Sequence, residues 1–158
     1  MSHDVFVSYS SQDRAVAEEV CIALERRNIP CWMHPRDVPP GAHYAETVAR
    51  AVLAARLMVV VFSQHANDSP QAASEIERAA GRGIPLVLFR IEDVAPRKTL
   101  ESFLGAADRL DGFPPSRGRH FEKHLDRLLV AVGRLLYEPR PPHDRVVPSR
   151  PASPQRQI

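Results

Sequence analysis

The sequence is short of the residues from which metal centres and covalent frameworks are built. It holds two cysteines, Cys21 and Cys31, with no Cys-x-x-Cys and no grouping of cysteine with histidine. Neither a disulfide scaffold nor a metal site is expected from that count and spacing. Glycine-rich phosphate loops are missing as well. Neither Gly-x-x-x-x-Gly-Lys nor Gly-x-Gly-x-x-Gly occurs, which removes the two commonest nucleotide cradles. Gly-x-Ser-x-Gly is also absent, so the serine of an α/β-hydrolase is not expected. No apolar run approaches the ~20 residues that cross a bilayer. The start, MSHDVFVSYSS, lacks the basic residues and long apolar core of a signal peptide. The expectation is a cytoplasmic protein with no membrane partner.

Strong charge of one sign is lacking too, except at one end. From Pro139 onward four arginines (Arg140, Arg145, Arg150, Arg156) face one acid, Asp144, a net of +3 within a chain total of +2. The body therefore carries about −1 by subtraction. A nucleic-acid-binding domain presents a strongly basic face, so no nucleic-acid partner is expected. The terminal stretch also holds six of the fifteen prolines, and residues 137–158 read as a disordered Pro/Arg-rich tail. Residues 1–136 have the length of one domain with a real core, and the 44% apolar content of the whole chain is ordinary for a globular protein.

What is present is alternation. Leu57 to Phe62 is an unbroken apolar run of the length and β-branching of a strand buried on both faces. A loop follows, rich in turn formers (Ser63, Asn67, Asp68, Ser69, Pro70), and then a helical segment over 72–80 that Gly81 and Gly83 should end. Leu86 to Phe89 makes a second strand, which completes a βαβ unit. Before it lie a strand over 4–8, a helix over 14–27 with Ser11 or Asp13 as its cap, a short strand over 29–33, a proline-rich loop, and a helix over 44–55. After it come a short helix over 100–104, a weak strand over 109–111, and a last helix over 121–136 with leucines at a 3.6 period. This succession predicts an α/β fold: a flavodoxin-like, doubly wound, five-stranded parallel sheet of order 2-1-3-4-5, with helices on both faces.

In that order ligands bind at the carboxyl ends of the first and third strands. Those ends carry Ser8, Tyr9, Ser10 and Ser11 on one side and Ser63, Gln64 and His65 on the other. A phospho-accepting receiver of this fold would need acids there to hold Mg²⁺, and none stands at those positions. His65 beside Ser63 lacks a third partner for nucleophilic work and reads as a solvated loop residue. Ser10 and Ser11 are candidates either to hold phosphates or to cap the helix. Arg36 and Asp37, in the loop after the second strand, are candidates to pair with each other, to contact a nucleotide or to bind a neighbouring domain. Trp32 reads as packing, and Tyr44 as an apolar anchor for its helix as well as a candidate on the rim of the site.

Three stretches together resemble a TIR (Toll/interleukin-1 receptor) domain of the bacterial kind: DVFVSYSSQDR, CWMHPRDVPPG, and FS…SP…SEIERA…GIPLVLFRIED. The likeness runs from about Asp4 to Leu136. The family's Phe-Trp pair in the last helix is replaced by Phe121-Glu122. The resemblance implies one of two kinds of work. Some TIR domains are adaptors that assemble through the loop after the second strand. Others cleave NAD⁺ between nicotinamide and ribose, with a glutamate in a pattern like Ser-x-Trp-x-x-x-Glu. Ser69-Pro70-Gln71-Ala72-Ala73-Ser74-Glu75 matches that spacing and puts Glu75 in the catalytic place, with Gln71 where the tryptophan would wall the nucleotide.

The chemistry needs only one carboxylate. Nicotinamide leaves as a neutral amide and requires no acid, unlike the leaving group of an O-glycoside. A carboxylate offsets the positive charge that develops on the ribose. Helical spacing sets Glu75 and Glu77 on opposite flanks of the Ala72/Ile76/Ala79 stripe and does not choose between them; the resemblance chooses Glu75. On a partly exposed helix Glu75→Gln should shift stability by no more than about 0.5 kcal/mol. The expected function is therefore NAD⁺ hydrolysis to ADP-ribose or a cyclic variant, activated by homotypic TIR–TIR association. NAD⁺ is then substrate and no cofactor is required. Ser8, Tyr9, Ser10, Ser11, Arg36, Asp37, Tyr44, Ser63 and Gln71 are the candidate substrate contacts around catalytic Glu75. The alternative is a non-catalytic signalling adaptor of the same fold.

Overall fold

A computed structural model describes residues 3–113 and 119–137. Five parallel strands form one sheet: β1 (Val5–Ser8), β2 (Cys31–Trp32), β3 (Leu57–Phe62), β4 (Leu86–Arg90) and β5 (Asp108–Asp111). Their order is β2-β1-β3-β4-β5, as the alternation predicts. All six residues of β3 are buried, because helices cover both faces of a central parallel strand. The helices are α1 (Arg14–Glu25), α2 (Tyr44–Ala54), α3 (Gln64–Asn67), α4 (Pro70–Gly81), α5 (Lys98–Leu104) and α6 (Arg119–Tyr137).

Alternation along the strands divides the core into two halves. Val5, Val7, Leu57, Val59, Val61, Val87 and Phe89 point to the α1/α6 side and pack on Ala17, Val20, Leu24, Leu128 and Val132. Phe6, Met58, Val60, Phe62 and Leu88 point the other way and pack on Val48 and Val52 of α2, Ile76 of α4 and Leu100 of α5. Trp32 stacks on Phe6, with ring centroids 5.3 Å apart, which is the packing role expected of it.

Several local expectations change. The loop after β3 contains α3, because the Ser63 hydroxyl caps it by accepting from Ala66 N–H at 3.1 Å. The next helix starts two residues earlier than its apolar pattern indicates. Ser69 caps it at the Ala72 N–H, and Pro70 fits the first turn, where no N–H is needed. Gly81 is the last residue of α4, and Gly83, at φ +71°, supplies the left-handed turn behind it. Neither Ser11 nor Asp13 caps α1 with its side chain; residues 11–13 form a single 3-10 turn instead. Tyr137 closes α6, and the rest of the expected tail lies outside the described residues.

Candidate functional site

The parity that splits the core also splits the carboxyl-terminal crevice. Ser8 shares the face of Phe6 and points toward α4, where its hydroxyl donates to Glu75 Oε1 at 2.7 Å. Ser63 shares the face of Val59 and Val61 and points toward α1, where it donates to Asp13 Oδ2. Serines at the ends of neighbouring strands thus serve different carboxylates on opposite sides of the sheet. An acid does reach this end of the sheet: Asp13 arrives on the 3-10 turn, which the strand ends alone do not reveal. Among the described residues no three or more His, Cys, Asp or Glu gather as a metal site.

Glu75 is 3% exposed, so it is not one of two solvated acids on a helix; Glu77 is the exposed one. Burial of a carboxylate demands partners. Besides Ser8, its Oε2 lies 3.3 Å from His34 Nε2 and 3.4 Å from Gln71 Nε2. The partly exposed Glu75 on which the small stability change for Glu75→Gln is premised is therefore not what the structure has. A buried amide would turn an N–H toward the Ser8 hydroxyl, which would have to give up its donor role, or toward His34.

His34 is the residue that sequence reasoning missed. It sits just beyond β2 and is 6% exposed. Its Nδ1 is 2.7 Å from the Tyr44 hydroxyl, and its ring lies flat against Tyr9 with centroids 5.2 Å apart. The Tyr9 hydroxyl donates to the His34 carbonyl. Burial pushes the Tyr9 phenol above its ordinary value, against the opposing charge of Arg14, so it stays protonated and able to donate. The pairing of β1 with β2 runs Val5↔Cys31 and Phe6↔Trp32, and two more steps bring His34 level with Ser8. The signal available in the sequence was a lone histidine at the carboxyl end of a strand flanking β1. Only the fold shows that it meets Glu75, to which Ser8 also donates.

Tyr44 is 44% exposed, and its hydroxyl accepts from Gln71 Nε2 at 3.0 Å. It is a polar link at the mouth of the site and not the apolar anchor its position implied. Ser8, Tyr9, Tyr44, Gln71 and Glu75 thus converge through His34. The other candidates stand apart from them. Ser10 pairs with the Gln12 side chain at 3.3 Å, and Ser11 is exposed. Arg36 and Asp37 pair with each other at 2.8 Å, and Arg36 also grips Glu25 at the end of α1. Asp37 accepts from the Met33 N–H at 2.9 Å, which fixes the start of the loop. Ser63 is committed to Asp13 and to the cap of α3, and His65 is exposed on that helix.

A cleft of about 190 Å³ opens between α2 and α4. Its wall on α2 is apolar, with Ala45, Val48, Ala49 and Val52; Tyr44, Gln71, Ser74, Glu75 and Arg78 supply its polar groups. Val48 and Val52, which pack α2 on the sheet, also form part of this wall beside Ala45 and Ala49, and α4 brings the buried carboxylate to it. An anionic group with fixed donors at one side of an apolar cleft is suited to stabilising positive charge on a bound ring.

The same architecture occurs in solved structures. The TIR domains of the activated Roq1 resistosome, which directly recognises the pathogen effector XopQ, align over 83% of this chain and 99% of theirs (TM-score 0.67, 18% identity). The TIR domain of the Toll-related receptor TRR-2 from Hydra magnipapillata aligns over 82% and 99% (TM-score 0.63, 21% identity). A CMP N-glycosidase of Clostridium botulinum, BcmB, aligns over 81% and 98% (TM-score 0.55, 14% identity). No curated protein matches the sequence. The family profile described as TIR domain matches residues 5–129, most of the chain and every strand of the sheet. The chain belongs to the TIR-domain family.

Proposed function

We propose that this TIR domain hydrolyses NAD⁺ at the bond between nicotinamide and ribose, with Glu75 as the catalytic carboxylate. The observation that carries the reading is the burial of Glu75 at 3% exposure on the wall of the α2–α4 cleft, with donors on both oxygens. In the reaction the bond from ribose C1′ to the pyridinium nitrogen breaks, and its electron pair stays with nicotinamide, which leaves neutral. Positive charge spreads over C1′ and the ring oxygen as this happens. Glu75 offsets it at short range, where a dry surrounding strengthens the interaction. Water then adds at C1′ and releases a proton, giving ADP-ribose; capture by a hydroxyl of the same molecule would give a cyclic product instead. The likeness to an N-glycosidase of CMP adds support, since that protein's name describes scission of the same kind of bond on the same fold.

A cytoplasmic setting and activation by homotypic association belong to the same proposal. The loop from Pro35 to Gly41 has Pro39, Pro40 and Gly41 at its exposed tip, a surface available to a second copy. A second reading, a non-catalytic TIR–TIR signalling module, draws on the completeness of the Glu75 network. Every partner of that carboxylate is also a structural contact, and Gln71 occupies the position of the nucleotide-walling tryptophan. Incubating the purified protein with NAD⁺ over a range of protein concentrations, and resolving the products, separates the two. Nicotinamide released with a rate that rises more steeply than protein concentration supports the hydrolase. No release at the highest concentration favours the module.

A further inference from the structure

The Glu75 network contains one buried titratable group to which the charge-offset chemistry gives no task, His34. Both of its ring nitrogens have partners, so the donors and acceptors can be counted. Tyr44 has one hydroxyl hydrogen; its oxygen accepts from Gln71 Nε2 at 3.0 Å, which leaves that hydrogen for His34 Nδ1 at 2.7 Å. In the arrangement that keeps this hydrogen inside the network Nδ1 accepts, and Nε2 carries the ring's proton, directed at Glu75 Oε2 at 3.3 Å. The opposite tautomer would turn an imidazole lone pair toward a buried carboxylate. Its one advantage, accepting from Gln71 Nε2 at 3.4 Å, is small, because that amide already has Tyr44 and Glu75 as acceptors. A doubly protonated ring would need Tyr44 to accept from both Nδ1 and Gln71 and to turn its own hydrogen out of the network. It would also cancel the charge that Glu75 contributes.

We propose that His34 is the positioning residue of Glu75: a neutral imidazole, fixed as the Nε2–H tautomer by Tyr44 and Gln71, that donates to Oε2 while Ser8 donates to Oε1 and so sets the plane of the carboxylate toward the cleft. This rests on the reading of Glu75 as the charge-offsetting group. Gln71 then has a purpose of its own in this chain, as the amide that orients the Tyr44 hydroxyl. Tyr9 completes the arrangement from the other side, with its ring against the imidazole and its hydroxyl on the His34 carbonyl. Partners that orient a metal-binding ligand are commonly worth about 10–100-fold in activity, and an effect of that order is expected of the partner of this carboxylate.

Two measurements test it. Nitrogen-15 spectra of the histidine rings at neutral pH should show His34 with Nε2 protonated and Nδ1 bare, and Tyr44→Phe should shift that balance toward the other tautomer. A wild-type ring protonated at Nδ1, or at both nitrogens, overturns the proposal. In the second measurement His34→Gln and His34→Asn are compared for NAD⁺ cleavage at equal assembly. Both lose the ring and its stacking on Tyr9, and unfolding of the two variants measures the further cost of the methylene that asparagine lacks. The glutamine amide reaches the place of Nε2, and the asparagine amide falls short at the place of Nδ1. His34→Gln should keep kcat within about tenfold, and His34→Asn should lose up to about 100-fold in kcat with KM little changed. Equal loss in the two variants overturns the proposal. A wild type that cleaves no NAD⁺ when assembled overturns the catalytic reading of Glu75, and the ring spectrum then decides the role of His34 without it.

Discussion

Two serine–carboxylate pairs close the carboxyl end of the sheet, and they differ in kind. Ser8 with Glu75 belongs to a circuit of His34, Tyr44 and Gln71 beside the α2–α4 cleft. Ser63 with Asp13 is a local tie: the same hydroxyl caps α3, and the carboxylate steadies the turn before α1. The chemistry of the two pairs is identical, and their surroundings assign them different work. On the α4 side a fully buried acid is matched by three donors. On the α1 side a half-buried acid has one, and burial pushes the Asp13 carboxyl above its ordinary value despite the Ser63 hydrogen bond.

The comparison is broken most severely by exchanging each acid for its amide. Glu75→Gln should lower NAD⁺ cleavage by hundreds-fold, equivalent to about 3–4 kcal/mol of lost charge stabilisation in the transition state. Asp13→Asn should leave turnover within a few-fold. Product analysis at equal assembly checks this, and equal loss in both variants would remove the distinction between the two sides. Stability gives the next largest effect. Glu75→Gln should cost about 2–3 kcal/mol, because a hydrogen-bonded charged acceptor is replaced by a group with the wrong polarity toward one of its donors. Ser63→Ala should cost about 1–2 kcal/mol through the lost cap and the stranded Asp13. Urea unfolding would measure both, and a neutral Glu75→Gln would contradict the buried network.

The pH dependence sharpens the contrast further. Asp13 holds its proton more tightly in the folded protein than in the unfolded chain. Between the ordinary aspartate value of about 3.9 and its raised folded value, its contribution therefore makes stability fall as pH rises. Asp111 does the reverse. Its hydrogen-bonded partner Arg90, at 2.7 Å, holds the Asp111 carboxyl below the ordinary range. That contribution is complete above about pH 3.9 and is lost as pH falls through the folded value. Urea midpoints from about pH 3 to about pH 7 should lose the descending component in Asp13→Asn and the acid loss in Asp111→Asn. Slopes unchanged from wild type would contradict both assignments. The smallest effect is the control on α4 itself. Glu77→Gln, exposed and two residues from Glu75, should stay within about 0.5 kcal/mol of wild type and retain turnover.

The sequence by itself determined the sheet. Apolar runs with β-branched residues, helical stripes between them, and short loops leave few ways to bury what must be buried, and the observed order β2-β1-β3-β4-β5 is the common one for a chain of this size. It also carried the match that singles out Glu75, because a helix preserves spacing and Ser69 to Glu75 spans less than two of its turns. Tertiary structure alone decided what Glu75 touches. Helical period leaves Glu75 and Glu77 equivalent until the packing of α4 buries one and exposes the other. Strand parity sends Ser8 and Ser63 to opposite faces, and the chain leaving a strand of only two residues brings His34 to the carboxylate that Ser8 holds. These are contacts between residues far apart in the chain, fixed by how neighbouring elements sit against one another. No local pattern of amino acids encodes that distance, and the carboxylate acquires its partners only when the sheet closes around it.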